Sequence, residues 1–110
     1  MIHYLKQLLA RPGRQELINL VRQVSDRSFP IVQQQAVSRI GTMSLAEARG
    51  YVRARARGVV RRQLEVCLTR RYAIDAALQE RIGLHACERV VHLVIGEMLA
   101  ATPAVRRRAA

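Results

Sequence analysis

Apolar residues recur along this chain at the three- and four-residue intervals of an α-helix, and their grouping predicts five helices. Ile2, Leu5, Leu8 and Leu9 share one face of a short amphipathic segment over 2–10. Pro12-Gly13 closes it, because proline lacks the amide donor and glycine frees the backbone. Leu17, Ile18, Leu20, Val21 and Val24 predict a second helix over 14–24, and Ser25-Asp26-Arg27-Ser28 then reads as a turn. Pro30 sits near the start of a third helix, where its missing N–H costs nothing. That helix carries Val32, Ala36, Val37 and Ile40, and Gly41 suits its C′ position.

Ser44-Leu-Ala-Glu47 is a capping box: the serine oxygen accepts from an early amide, and the glutamate reaches back to the cap amide. It opens a long helix over about 44–68, with Leu45, Ala48, Val52, Ala56, Val60 and Leu64 as its buried stripe. The pattern allows that helix to stop near Thr69 or to continue to Arg81 and end at Gly83. A last helix runs from about His85 to Ala101, before Pro103. The apolar run at 90–95 also suits a buried strand, since short apolar runs do not separate the two by period. Helix is preferred: no turn signal directly precedes the run, and a lone strand has no partner. The expected fold is all-α, a compact bundle of about five helices around one long basic helix. Residues 1–103 form one helical domain and 104–110 a loose basic tail.

Composition narrows the class. The chain has 110 residues, half of them hydrophobic and mostly aliphatic, enough for one modest core. Its 19 bases outnumber 8 acids, for a net charge of +11. A field of that sign attracts nucleic acid, anionic lipid or an acidic protein. All the bases but Lys6 are arginine, a preference that GC-rich codon usage accounts for; such usage does not account for the shortage of acids. Cys67 and Cys87 form no framework, and the N-terminus lacks the pattern of an export signal. No apolar stretch reaches the length of a membrane span. The chain therefore reads as soluble and cytoplasmic, with its cysteines as reduced thiols.

Charge is concentrated between Ser44 and Arg71, where eight arginines meet only Glu47 and Glu65. Arg49, Arg53, Arg57 and Arg61 are spaced by four, one ridge rising about 6 Å per step. Like charges at this spacing oppose the helix by roughly 0.2–0.5 kcal/mol per pair, and a polyanion relieves that repulsion. Arg55 and Arg62 widen the basic surface. Gly50, Ala54 and Gly58 make a small-residue ridge on the same helix, suited to close approach of another helix or, less readily, of a phosphate backbone. The bland reading of the segment is a solvated basic face. The junction at 40–44 resembles a helix-turn-helix only weakly, because Glu47 and Gly50 fall where that motif buries apolar residues.

Other chemistry is thinner. His85, Glu88 and His92 stand at i, i+3 and i+7, a low-ranking candidate set for zinc or iron with no evident fourth ligand. The ordinary alternative puts His92 at a core edge and pairs Glu88 with Arg81 or Arg89. Neighbouring arginines favour the Cys67 thiolate, while its place on the apolar stripe favours an inert buried thiol. No nucleophile–base set, paired carboxylates or phosphate-binding glycine loop is present, so neither an enzyme nor a cofactor is expected. The leading expectation is a non-enzymatic nucleic-acid-binding protein, for DNA or RNA, with little sequence specificity. Arg49, Arg53, Arg57 and Arg61 would hold phosphates, supported by Arg55 and Arg62. The alternative is a helical assembly subunit that docks an acidic protein or a second copy of itself; a membrane partner ranks below both.

Overall fold

The structure is a computed structural model that describes residues 12–68 and 74–101. Three α-helices carry the fold: α1 (Arg14–Ile40), α2 (Leu45–Cys67) and α3 (Ala76–Ala101). Each packs against both others, and there is no strand among the described residues. A short connection from α1 to α2 makes neighbours antiparallel. Arg27 near the middle of α1 accordingly meets Gln63 near the end of α2. Leu17 and Ile18 near the start of α1 line a cleft with Leu78 and Ile82 near the start of α3, and Arg89 meets Arg22, Ser25 and Asp26 further along, so α3 runs parallel to α1.

The all-α class stands among the described residues, but of the five helices expected, the four that fall there are corrected to three. The expected 14–24 and 30–40 helices are one helix, because the serines that signalled a turn satisfy themselves inside it. Ser28 Oγ donates to the Val24 carbonyl at 2.7 Å, and Ser25 Oγ to the Arg22 carbonyl at 3.0 Å. Both serines are fully buried. Pro30 lies inside α1 rather than at a start. Gly41 keeps right-handed backbone angles, so it is no left-handed C′ residue; a turn from the Met43 amide to the Ile40 carbonyl ends the helix.

The capping box at Ser44 and Glu47 forms in both directions, and α2 stops at Cys67 rather than running on to Arg81. The last helix begins nine residues earlier than His85, at Ala76, with Gly83 inside it. Asp75 supplies the missed start signal: its carboxylate accepts the Leu78 amide at 2.7 Å. Residues 90–95 are helical, as preferred. The helix expected over 2–10 and the tail at 104–110 lie outside the described residues.

One spacing organises the core. Leu20, Val24, Ser28, Val32, Ala36 and Ile40 form a buried row at every fourth position of α1. Ala48, Val52, Ala56, Val60 and Leu64 do the same on α2. Ile82, Ala86, Val90 and Val94 repeat it on α3, beside a second row of Cys87, Val91 and Ile95. Rows at this spacing are one of the natural ridge systems of an α-helix, inclined about 26° to its axis, and they interlock with the grooves of a neighbour. The core is aliphatic, and its four fully buried alanines, Ala36, Ala48, Ala56 and Ala86, let backbones approach.

Candidate nucleic-acid interface

The core row of α2 dictates where its arginines go. Arg49, Arg53, Arg57 and Arg61 each follow a core residue by one position, so their row runs along the edge of the helix that meets α3. Arg53, Arg57 and Arg61 line the groove between α2 and α3, about 700 Å³ in volume. Glu65, Glu80 and Glu88 line the same groove, so its charges balance. Arg53 is fully engaged there. Its Nε donates to Glu88 Oε1 at 2.7 Å and its Nη2 to Glu88 Oε2 at 3.1 Å. The hydrogen bond from Arg53 holds the Glu88 carboxyl below its ordinary pKa. Glu88 therefore pairs across to α2, rather than with Arg81 or Arg89; Arg89 pairs with Asp26.

The next row outward holds Gly50, Ala54, Gly58 and Arg62, and all four are exposed. A Cβ added at Gly50 or Gly58 meets no atom within 4 Å. No described helix packs on this row. The strip points away from the core and exposes helix backbone under minimal side chains. Arg49, Arg57 and Arg61 border it on the α3 side, and Arg55 borders it on the α1 side. Arg55 is held by Tyr51: its guanidinium carbon lies 5.3 Å from the ring centroid, and its Nε donates to the Tyr51 hydroxyl at 3.2 Å. Such stacking fixes a cation while leaving its terminal nitrogens facing outward. Sequence reasoning missed Tyr51, although its position four residues before Arg55 is the spacing that brings helical side chains together. Acids bound the strip at its two ends, Glu47 in the capping box and Glu65, and Glu80 and Glu88 share the α2–α3 groove with Arg57 and Arg61.

The candidate metal residues are not brought together. His85 is exposed at the α1–α3 side, Glu88 is tied to Arg53, and His92 is exposed rather than set at a core edge. No group of three or more potential ligands among the described residues can hold a metal ion. Cys67 and Cys87 are both buried and free. Burial pushes both thiols up, outweighing the arginines near them, so the inert reading of Cys67 holds over the activated one. Among the described residues no helix is long and apolar enough to cross a membrane.

No protein-family model matches the chain, and comparisons with curated proteins and with solved structures give no match. Function therefore has to be argued from the face itself.

Proposed function

We propose that this protein binds nucleic acid through the outer face of α2, by arginine–phosphate contacts with little sequence specificity and without catalysis. One observation carries the reading: an exposed strip of Gly50, Ala54 and Gly58 is edged by Arg49, Arg57 and Arg61 on one side and Arg55 on the other, with Arg62 continuing the strip. A phosphodiester backbone laid on the strip approaches the helix closely, and arginines reach its oxygens from both edges. Guanidinium forks suit that geometry, since they bind phosphate in bidentate fashion. Arg53 plays a different part in this reading. Locked to Glu88, it fixes α2 against α3 and so fixes the face. Free buried thiols suit a reducing compartment, and we place the activity in the cytoplasm.

The same face disfavours self-association. Two copies joined strip to strip would bring ten arginines together, more than the acids at the margins of each copy, Glu47, Glu65, Glu80 and Glu88, offset. An acidic protein helix remains the competing occupant, because it offers carboxylates where nucleic acid offers phosphates.

The test is a salt titration of binding to random duplex DNA, duplex RNA and single strands. Wild type should bind with a log–log salt slope of about −0.9 per duplex-DNA phosphate neutralised. The variant with Arg49, Arg55, Arg57, Arg61 and Arg62 changed to alanine should lose most of the affinity and flatten the slope. Ala54→Leu should weaken binding while retaining every charge, because it lifts the ligand off the strip. Affinity that survives the five-fold arginine substitution refutes the proposal. Absence of binding at low salt refutes it too, and directs the search to an acidic protein.

A further inference from the structure

A second cationic cluster lies on the opposite side of the molecule, where α1 meets α3. A cleft of about 660 Å³ opens there, floored by Leu17, Ile18, Val21, Leu78 and Ile82. Arg14 and Arg22 of α1 and Arg81, His85 and Arg89 of α3 line it, and no carboxylate does. Ile18 is 44% exposed and so is open to a ligand in the cleft. Arg89 is satisfied by Asp26 and Ser25, which closes one end. Arg14, Arg22 and Arg81 have no ion pair with any acid among the described residues.

An apolar floor with a cationic rim is complementary to a molecule that has an apolar body and an anionic head. We infer that this cleft binds a free long-chain carboxylate, with its hydrocarbon chain against Leu17, Ile18, Val21 and Ile82 and its carboxylate between Arg14, Arg22 and Arg81. The volume falls within the range of about 300–1,000 Å³ typical of small-molecule sites. Arginine forks hold carboxylates in bidentate fashion, and the contact is stronger where apolar surface excludes water. Nucleic acid does not fit this site, since a phosphate backbone leaves the apolar floor uncovered. Residues 1–11 carry Lys6 and Arg11 and no acid, so they offer the rim no anionic partner. The inference is independent of the α2 reading, for none of its residues lies on α2.

The experiment is titration of the full-length chain with palmitate below its micelle concentration, followed by calorimetry. Expected is one molecule bound per chain, weakened about tenfold or more by Arg14→Ala with Arg81→Ala, a loss equal to one charge-assisted contact. Ile18→Glu, at an exposed position that leaves folding intact, should weaken it comparably. Hexadecanol, with the same chain and no charge, should bind far less, and octanoate should lose the chain contribution. The five-arginine α2 variant should bind palmitate as wild type does. Any of three results overturns the inference: no palmitate binding; equal loss in the α2 variant, which marks general attraction to charge; or preference for anionic phosphatidylglycerol vesicles over monomeric palmitate, which marks a membrane surface. A change in oligomeric mass caused by Ile18→Glu, without palmitate binding to wild type, overturns it in favour of an interface between copies.

Discussion

Two alanines on α2, two positions apart, have opposite environments. Ala56 is fully buried among the helices, while Ala54 lies exposed on the outer strip. Ala56→Leu should destabilise by about 1–3 kcal/mol, because added methylenes have no space in a close-packed row. Ala54→Leu should stay within about 0.5 kcal/mol of wild type, as surface substitutions usually do. Chemical denaturation of the pair checks both, and equal effects would show that the rows are misassigned. The row of arginines was legible at this scale, since its spacing is written in the sequence. The fate of Arg53 was not. Its partner Glu88 lies 35 residues away, and only the packing of α2 on α3 brings them within 2.7 Å.

At the scale of elements, α2 was legible because its start carries a reciprocal cap and its core residues keep a single interval. Continuity of α1 was hidden by local signals that tertiary packing overrides. Ser25 and Ser28 resemble a turn, yet Ser28 falls on the row from Leu20 to Ile40 and bonds to its own helix. Pro30 resembles a start, yet it interrupts a helix already under way and leaves the Asp26 carbonyl without its amide donor. A proline in a helix interior costs about 3 kcal/mol against alanine. Pro30 is exposed, so Pro30→Ala should disturb no core contact and raise stability by about 1–3 kcal/mol. Thermal denaturation decides the point, and an unchanged or lowered midpoint would mean that Pro30 relieves a strain elsewhere in α1. The start of α3 was missed for a related reason. Asp75 caps it, but the apolar pattern becomes regular only after Gly83.

Across the whole molecule, four of the eight acids serve the architecture. Glu47 caps α2, Asp75 caps α3, Asp26 ties Arg89 of α3 to α1, and Glu88 ties α3 to Arg53 of α2. Among the described residues, arginines without an acid partner gather in two separate places, the outer face of α2 and the α1–α3 cleft. The cap at Glu47 was legible, but the ion pairs of Asp26 and Glu88 and the second cluster were not, because each depends on residues distant in sequence. Acid should loosen this arrangement in a definite direction. The folded-state pKa of Glu88 is lowered, so its contribution is present above the ordinary carboxylate pKa and is lost as pH falls through the folded value. Glu88→Gln should accordingly lower the thermal midpoint at neutral pH, with the difference closing in strong acid. The effect should be small, as both partners are substantially exposed. A gap that persists undiminished in acid would assign the effect to something other than the ion pair.

The four-residue interval also constrains how this protein can change length. On α2 the core, the arginines, the strip and the α1-facing edge follow one another in strict rotation. One residue inserted between Val52 and Ala56 would turn every later position by one row. An insertion ahead of Arg55 would then carry Arg55, the residue before Ala56, into the core row, and charge would enter the interior. Four residues inserted at the same point would restore each row to its neighbour in kind, adding about 6 Å of helix at 1.5 Å per residue. Growth and loss in α2 should thus be tolerated in steps that bring the rows back into phase, such as four or seven residues, and not in steps of one or two.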